Sequence, residues 1–243
     1  MTNNLGLIDS ASVLIVRDND RTDTLETLMV KRHPDIDFAG GAYVFPGGKA
    51  DVSDIELSQN VPSFPIGYSE LTYTAYREVL EESGLLLGRG NNISFFRNAL
   101  VKGEISFAEF LIKADVTLNV KDLVPFARWI TPRTYTKRFD TRFYLARAPK
   151  GQYALPDRHE VTEAIWVEPT EFIDKNINEM MFPTLMNLKL LAESANVDEA
   201  MNRAQLRKII TIEPKIKNGI RTIDPRAGYG EVNQEIIHQG FKL

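Results

Sequence analysis

Between Thr72 and Gly84 the chain reads T-Y-T-A-Y-R-E-V-L-E-E-S-G. At about 100° per residue on an α-helix, Glu78, Glu81 and Glu82 fall within an arc of about 100°. Thr72, Ala75, Tyr76, Val79, Leu80 and Ser83 gather on the opposite side, so one face is expected to pack and the other to present three acids. The grouping is locally unfavourable. Glu78 and Glu82 are like charges at i,i+4, a repulsion of about 0.2–0.5 kcal/mol, and the acids crowd the helix C-terminus, where the helix dipole favours cations. Residues that break two local rules together mark a place to look for function. A hard divalent cation, Mg²⁺ or Mn²⁺, would resolve the conflict by taking oxygen ligands and neutralising the carboxylates. A solvated acidic face, with Arg77 as a local partner of Glu81, is the plainer alternative.

Other residues could serve the same chemistry. Arg77 offers a rigid fork of donors that could hold the glutamates in place. Gly47 and Gly48, closing the turn Phe45-Pro46-Gly47-Gly48, would let backbone approach the helix and a substrate closely, or simply make a tight turn. From Arg128 to Lys150 seven basic side chains stand against one acid, Asp140, in a chain of net charge −4. Arg138 and Arg142 lie at even spacing there and share a face if the segment is extended. They are candidates to bind substrate phosphates, with a solvated strand as the alternative. Asp157, His159, Glu160 and Glu163 occupy a polar stretch ahead of Trp166.

Arg77 to Leu85, R-E-V-L-E-E-S-G-L, preceded by Phe45-Pro46-Gly47-Gly48, resembles the Nudix hydrolase family, whose signature is G-x5-E-x7-R-E-U-x-E-E-x-G-U with U apolar. Gly48 matches the first glycine, and Arg77, Glu78, Val79, Glu81, Glu82, Gly84 and Leu85 match the second half. The gap from Gly48 to Arg77 is 29 where the signature has fourteen, an insertion of about fifteen residues. The signature's first Glu falls on Asp54 counting from Gly48 and on Ser69 counting back from Arg77, so Asp51, Asp54, Glu56 and Glu70 are all candidates for its role. The insertion, together with Trp129-Ile130-Thr131-Pro132, Arg138 to Phe143 and Glu160 to Pro169, is similar to the branch of peroxisomal coenzyme A diphosphatases and their bacterial relatives. The resemblance implies divalent-metal-dependent hydrolysis of a diphosphate bond, with Glu78 and Glu82 as ligands, Glu81 ligating or orienting water, and Glu160 as a candidate base. It further implies coenzyme A, acyl-coenzyme A or another nucleoside diphosphate derivative as substrate. A non-catalytic ligand sensor is disfavoured, since a binding module need not keep three destabilising glutamates. Phe64, Ile66 and Tyr68 of the insertion could line a pantetheine arm.

The elements that must position these residues can be read from pattern. Ser10–Val16, Leu25–Lys31, Ala42–Phe45, Pro125–Ile130, Arg138–Ala146 and Val161–Val167 read as strands. Glu70–Ser83, closed by Gly84, reads as a helix. So does Ser106–Ala114, with Ser106 and Glu109 as a capping box, and so do Glu179–Glu193 and Val197–Ile209. Lys49–Ser69 is irregular, with Pro62, Pro65 and Gly67. Interleaved strands and helices give an α/β (α+β) class in layers, and the Nudix resemblance implies a mixed sheet sandwiched between helices. One domain over residues 1–243 is expected, with 176–243 as a helical C-terminal extension. A chain of 243 residues with 43% hydrophobic and 26% charged residues can bury a core without staples, and the lack of cysteine removes disulfides and thiolate metal sites. The negative net charge disfavours nucleic acid as a partner. No apolar run reaches membrane-spanning length, and the start shows no signal peptide. A cytoplasmic protein is expected, without membrane partners and with a homodimer left open.

Overall fold

Strand β1 (Leu7–Asp18) is apolar on both faces, so it belongs in the middle of the fold. Ala11, Val13 and Ile15 enter one core, and Leu14 and Val16 enter another. The computed structural model describes residues 6–59 and 69–235. After β1 come β2 (Leu25–Arg32), β3 (Tyr43–Val44), β4 (Gly47–Lys49), β5 (Gly88–Arg89), β6 (Thr117–Leu118), β7 (Val124–Ile130), β8 (Arg138–Arg147), β9 (Val161–Val167), β10 (Thr211–Ile212), β11 (Lys215–Lys217), β12 (Ile220–Thr222) and β13 (Asn233–Glu235). The helices are α1 (Val52–Ser58), α2 (Thr72–Ser83), α3 (Ile93–Val101), α4 (Phe107–Lys113), α5 (Pro169–Asn176), α6 (Phe182–Leu191) and α7 (Val197–Leu206).

The main sheet runs β10-β7-β8-β1-β2-β3, with β4 joined to β1 and β9 to β2. It is mixed. β1 lies parallel to β8, with Asp9 opposite Asp140, and antiparallel to β2 at one end and β4 at the other. Residues of α2 to α4 fill the core on one face, among them Tyr76, Leu80, Leu100 and Phe110. Residues of α5 to α7 fill the other, among them Phe172, Leu188 and Met201. This is the expected sheet sandwiched between helices. Ser106 and Glu109 form the expected reciprocal cap of α4.

Two expectations need correction. The extension from residue 176 is helical only as far as Leu206; β10 then joins the main sheet beside β7, and β11, β12 and β13 make a small sheet of their own. These strands have two or three residues each, too short to show an alternating pattern. The stretch read as irregular also holds α1, whose N-terminus is closed by Asp51 and Asp54 as a capping box. Phe64, Ile66 and Tyr68 lie outside the described residues. Among the described residues, no helix is long and apolar enough to cross a membrane.

Candidate active site

Helix α2 ends at Gly84, whose φ of 71° is left-handed and whose N–H donates to the Leu80 carbonyl. Arg97 of α3 then covers the negative end of the helix. Its Nε donates to the Leu80 carbonyl at 2.8 Å and its Nη2 to that of Glu81 at 2.7 Å. The same Nη2 donates to the Leu155 carbonyl at 2.9 Å, and the Leu155 N–H donates to the Ser83 carbonyl at 2.7 Å. The β8–β9 connection is thereby fastened to the end of the helix.

The apolar side of α2 packs as expected, with Ala75, Tyr76, Val79 and Leu80 in the core. The acidic side is not a solvated face. Glu78 and Glu82 are buried, Glu82 to 1% exposure, because β4 lies across them. The Gly47 N–H donates to Glu82 Oε2 at 2.8 Å. A Cβ on Gly48 would stand 2.5 Å from Glu78 Oε1, and one on Gly47 would meet the Ala11 carbonyl of β1. Close approach on both sides therefore demands this glycine pair.

Arg77 gathers the acids. Its Nε and Nη2 donate to Asp54 Oδ2 at 3.0 and 2.9 Å, and its Nη2 also to the Lys49 carbonyl at 2.8 Å. Its Nη1 pairs with Glu78 Oε1 at 2.9 Å and Glu81 Oε2 at 2.8 Å. Asp54 is fully buried, and it is the residue that the count from Gly48 selects. Asp51 stands further off, at 3.8 Å from Arg77 Nε, and Glu56 and Glu70 are exposed.

The electrostatics follow from this crowding. Burial pushes Glu78 up to about 8; Arg77 opposes the shift, and Glu81 and Glu160 add to it. Burial raises Glu81 to about 7, again against Arg77. Burial and the neighbouring Glu78 hold Glu82 well above the usual carboxylate range, and the Gly47 amide opposes them. Burial alone would depress the Arg77 guanidinium, but Glu78, Asp54 and Glu81 raise it.

The cluster opens into a cavity of about 620 Å³ whose wall includes Gly47, Gly48, Arg77, Glu78 and Glu81, with Glu82 set behind it. Glu160, on the β8–β9 connection, also lines the cavity. Its loop is shaped by Asp157, whose Oδ1 accepts from the N–H groups of His159, Glu160 and Val161 at 2.7, 2.9 and 3.1 Å. Four cations also line the cavity: Arg32, Lys49, Lys137 and Arg221. Sequence reasoning did not single out Arg32, Lys49 or Arg221, and no motif marks them. Lys137 belonged to the basic run. His159 is exposed and lies outside the cavity wall.

Arg138 and Arg142, expected to meet substrate phosphates, do not line this cavity. The alternation of β8 is the reason. Phe139, Thr141 and Phe143 face the cavity, so Arg138, Asp140 and Arg142 turn to the other side. Arg138 donates to Glu213 at 3.0 Å and to the Thr131 carbonyl. Arg142 donates to Asp9 at 2.5 Å and to the Asp140 carbonyl at 3.0 Å, and Asp140 also receives Arg128 at 2.9 and 2.7 Å. Acids remote in sequence neutralise most of the basic patch.

A family model described as the NUDIX domain matches residues 7–188. The chain belongs to the Nudix family. A Caenorhabditis elegans relative bearing the name nudix hydrolase 7 is 29% identical over 160 residues, covering 63% of this chain and 50% of that one. Human acyl-coenzyme A diphosphatase NUDT19 is 22% identical over 231 residues, covering 71% of this chain and 62% of that one. The chain thus spans between 50% and 62% of the length of these curated relatives. Among solved structures, a NUDIX hydrolase from Alicyclobacillus acidocaldarius superposes with a TM-score of 0.71 at 26% identity, over 81% of this chain and 96% of that one.

Nudix membership implies a divalent cation, and the residues present fit one. Three acids, Asp54, Glu78 and Glu81, surround one buried arginine, and a fourth, Glu82, is buried against Glu78. Glu82 Oε1 is a buried acceptor with no hydrogen-bond partner among the described residues, which is costly unless a cation takes it up. Among the described residues, no group of three or more His, Asp or Glu side chains already stands in the geometry of an ion site. Arg77 holds Glu78 and Glu81, and the Gly47 amide holds one oxygen of Glu82. The donors are assembled, and the arginine partly neutralises them.

Proposed function

We propose that the protein hydrolyses the diphosphate bond of a nucleoside diphosphate derivative with Mg²⁺ or Mn²⁺, and that coenzyme A or acyl-coenzyme A is the substrate. The observation that carries the reading is the buried, under-neutralised carboxylate cluster opening into a cavity lined by cations. Glu78, Glu81 and Glu82 would hold the ion. A divalent ion so bound screens phosphate charge and lowers the pKa of a water molecule. Arg77 keeps Glu78 and Glu81 in register, and the Gly47 amide fixes the carboxylate of Glu82. Gly48, lacking a Cβ, leaves room for Glu78. Glu160, in the same cavity wall, would take a proton from the attacking water. The water oxygen forms the new P–O bond, the bridging P–O bond breaks, and the leaving phosphate departs with the electron pair.

The coenzyme A assignment is supported by the relative named as an acyl-coenzyme A diphosphatase and by a cavity that joins aromatic walls, Phe45, Trp129 and Phe182 among them, to cationic ones. The test is metal-dependent product formation on coenzyme A, an acyl-coenzyme A, ADP-ribose and a dinucleotide. Fastest turnover of the coenzymes, abolished by chelator, is the expected result. Fastest turnover of ADP-ribose or the dinucleotide would keep the chemistry and move the substrate. No turnover of any substrate, with binding retained, would make the domain a sensor.

A further inference from the structure

Three arginines are buried among the described residues: Arg77, Arg142 and Arg221. Two of them answer to carboxylates. Arg221 does not. It is 9% exposed and sits on β12, the central strand of the small C-terminal sheet. Its side chain forms no ion pair or hydrogen bond with any described residue, and its guanidinium lies 4.3 Å over the ring of Phe182. Its place is in the wall of the cavity that also receives Glu78, Glu81 and Glu160. Burying a guanidinium without an anion is unfavourable, so a residue left this way is complete only when a ligand supplies the charge. The aromatic contact occupies one face of the plane, and the in-plane N–H fork remains for a phosphate.

We propose that Arg221 binds a phosphate monoester of the substrate, separate from the diphosphate that is cleaved. This rests on the nucleoside diphosphate reading above and narrows it to substrates that carry an additional phosphate, as coenzyme A does on its ribose. The assignment to a separate group follows from position. The carboxylates that would face the cleaved diphosphate come from α2 against β4, whereas Arg221 comes from β12 against α6. Arg221 makes no ion pair to the Arg77 cluster, and it lies beyond the stretch 7–188 that the family model matches. The C-terminal strands thus add a specificity wall to a site whose carboxylates lie within that stretch.

The experiment has two arms. In the first, kcat and KM are measured on coenzyme A and on dephospho-coenzyme A for the wild type, Arg221→Gln and Arg221→Lys. The glutamine variant is expected to lose at least about tenfold in kcat/KM on coenzyme A through KM, the loss of a charge-assisted contact. It should lose far less on dephospho-coenzyme A, so that the preference collapses, with Arg221→Lys in between. Equal losses on both substrates would overturn the proposal, because a merely structural arginine affects both alike. In the second arm, calorimetry without metal compares adenosine 3′,5′-bisphosphate with AMP. The wild type should bind the bisphosphate more tightly and Arg221→Gln should not. No preference in the wild type would overturn the proposal even if the variants fail to fold. Should neither coenzyme be hydrolysed, the proposed activity alone falls, and the binding arm still decides the role of Arg221.

Discussion

Asp9, Arg128, Asp140 and Arg142 bring two cations to two acids on the far side of β8. The cluster around α2 brings Arg77 to Asp54, Glu78 and Glu81, and beside it Glu82 crowds Glu78 with Arg32 as the opposing cation, two cations to four acids. Both are at least partly buried and both are built around arginine forks. In the first, each charge meets its opposite within the fold, as a structural network requires. In the second, charge is left over, carboxylates are held above their ordinary range, and one oxygen has no hydrogen-bond partner among the described residues. Burial and ion pairing do not tell a structural network from a functional one. The balance of charge does.

The largest expected effect lies on the unbalanced side. Glu82→Gln should lower the turnover number by about a thousandfold, several kcal/mol of lost charge stabilisation, with the circular dichroism spectrum and melting temperature kept or slightly raised. Near-normal turnover in a folded mutant would end the assignment. The balanced side should behave in the opposite way. Asp140→Asn leaves Arg128 and Arg142 short of an acid and should cost about 3 kcal/mol of stability in urea denaturation, while kcat of the folded fraction stays at the wild-type value. A large fall in kcat without destabilisation would erase the contrast.

The pH dependence sharpens the same comparison. Glu78 and Glu81 are raised from 4.5 to about 8 and about 7, so between about pH 4.5 and 8 the native state holds more protons than the unfolded chain. Their contribution to stability therefore falls as pH rises through that window. A bound divalent cation competes with those protons, so the melting-temperature gap between metal and chelator should widen from pH 5 to pH 9. Glu82→Gln should narrow that gap. A gap independent of pH would show that the cluster does not take up the ion. The smallest effect is expected at Arg138, whose ion pair with Glu213 is partly exposed. Arg138→Ala should cost no more than about 1 kcal/mol and leave kcat/KM unchanged. A tenfold loss of kcat/KM would return that side of β8 to substrate binding.

Much of the frame was legible because local rules agree with the fold. The alternation in β8 and β9, the left-handed stop at Gly84 and the Ser106–Glu109 cap all act within a few residues. The three glutamates were legible because they violate such rules. The partners of Arg138 and Arg142 were not, since Asp9 and Glu213 meet them only through a parallel pairing and a C-terminal strand far away in sequence. Even spacing correctly put the two arginines on one face, but nothing local said which face the cavity would occupy. Asp54 was one of four candidates, and its burial under the reach of Arg77 separates it from the others. Arg221 lies on a strand of three residues, where no periodicity can form.

Arg97 does more than cover a helix end. By pinning Leu155 to the carbonyls at the end of α2, it shortens the tether of Glu160 to five residues, a reach of at most about 17 Å when fully extended. The His33 N–H, donating to the Glu160 carbonyl at 2.8 Å, anchors the far end. A carboxylate held between two such anchors samples a small volume, and its effective concentration over the cavity rises accordingly. The loop can therefore remain exposed to solvent while the backbone of its acid stays fixed at the cavity wall.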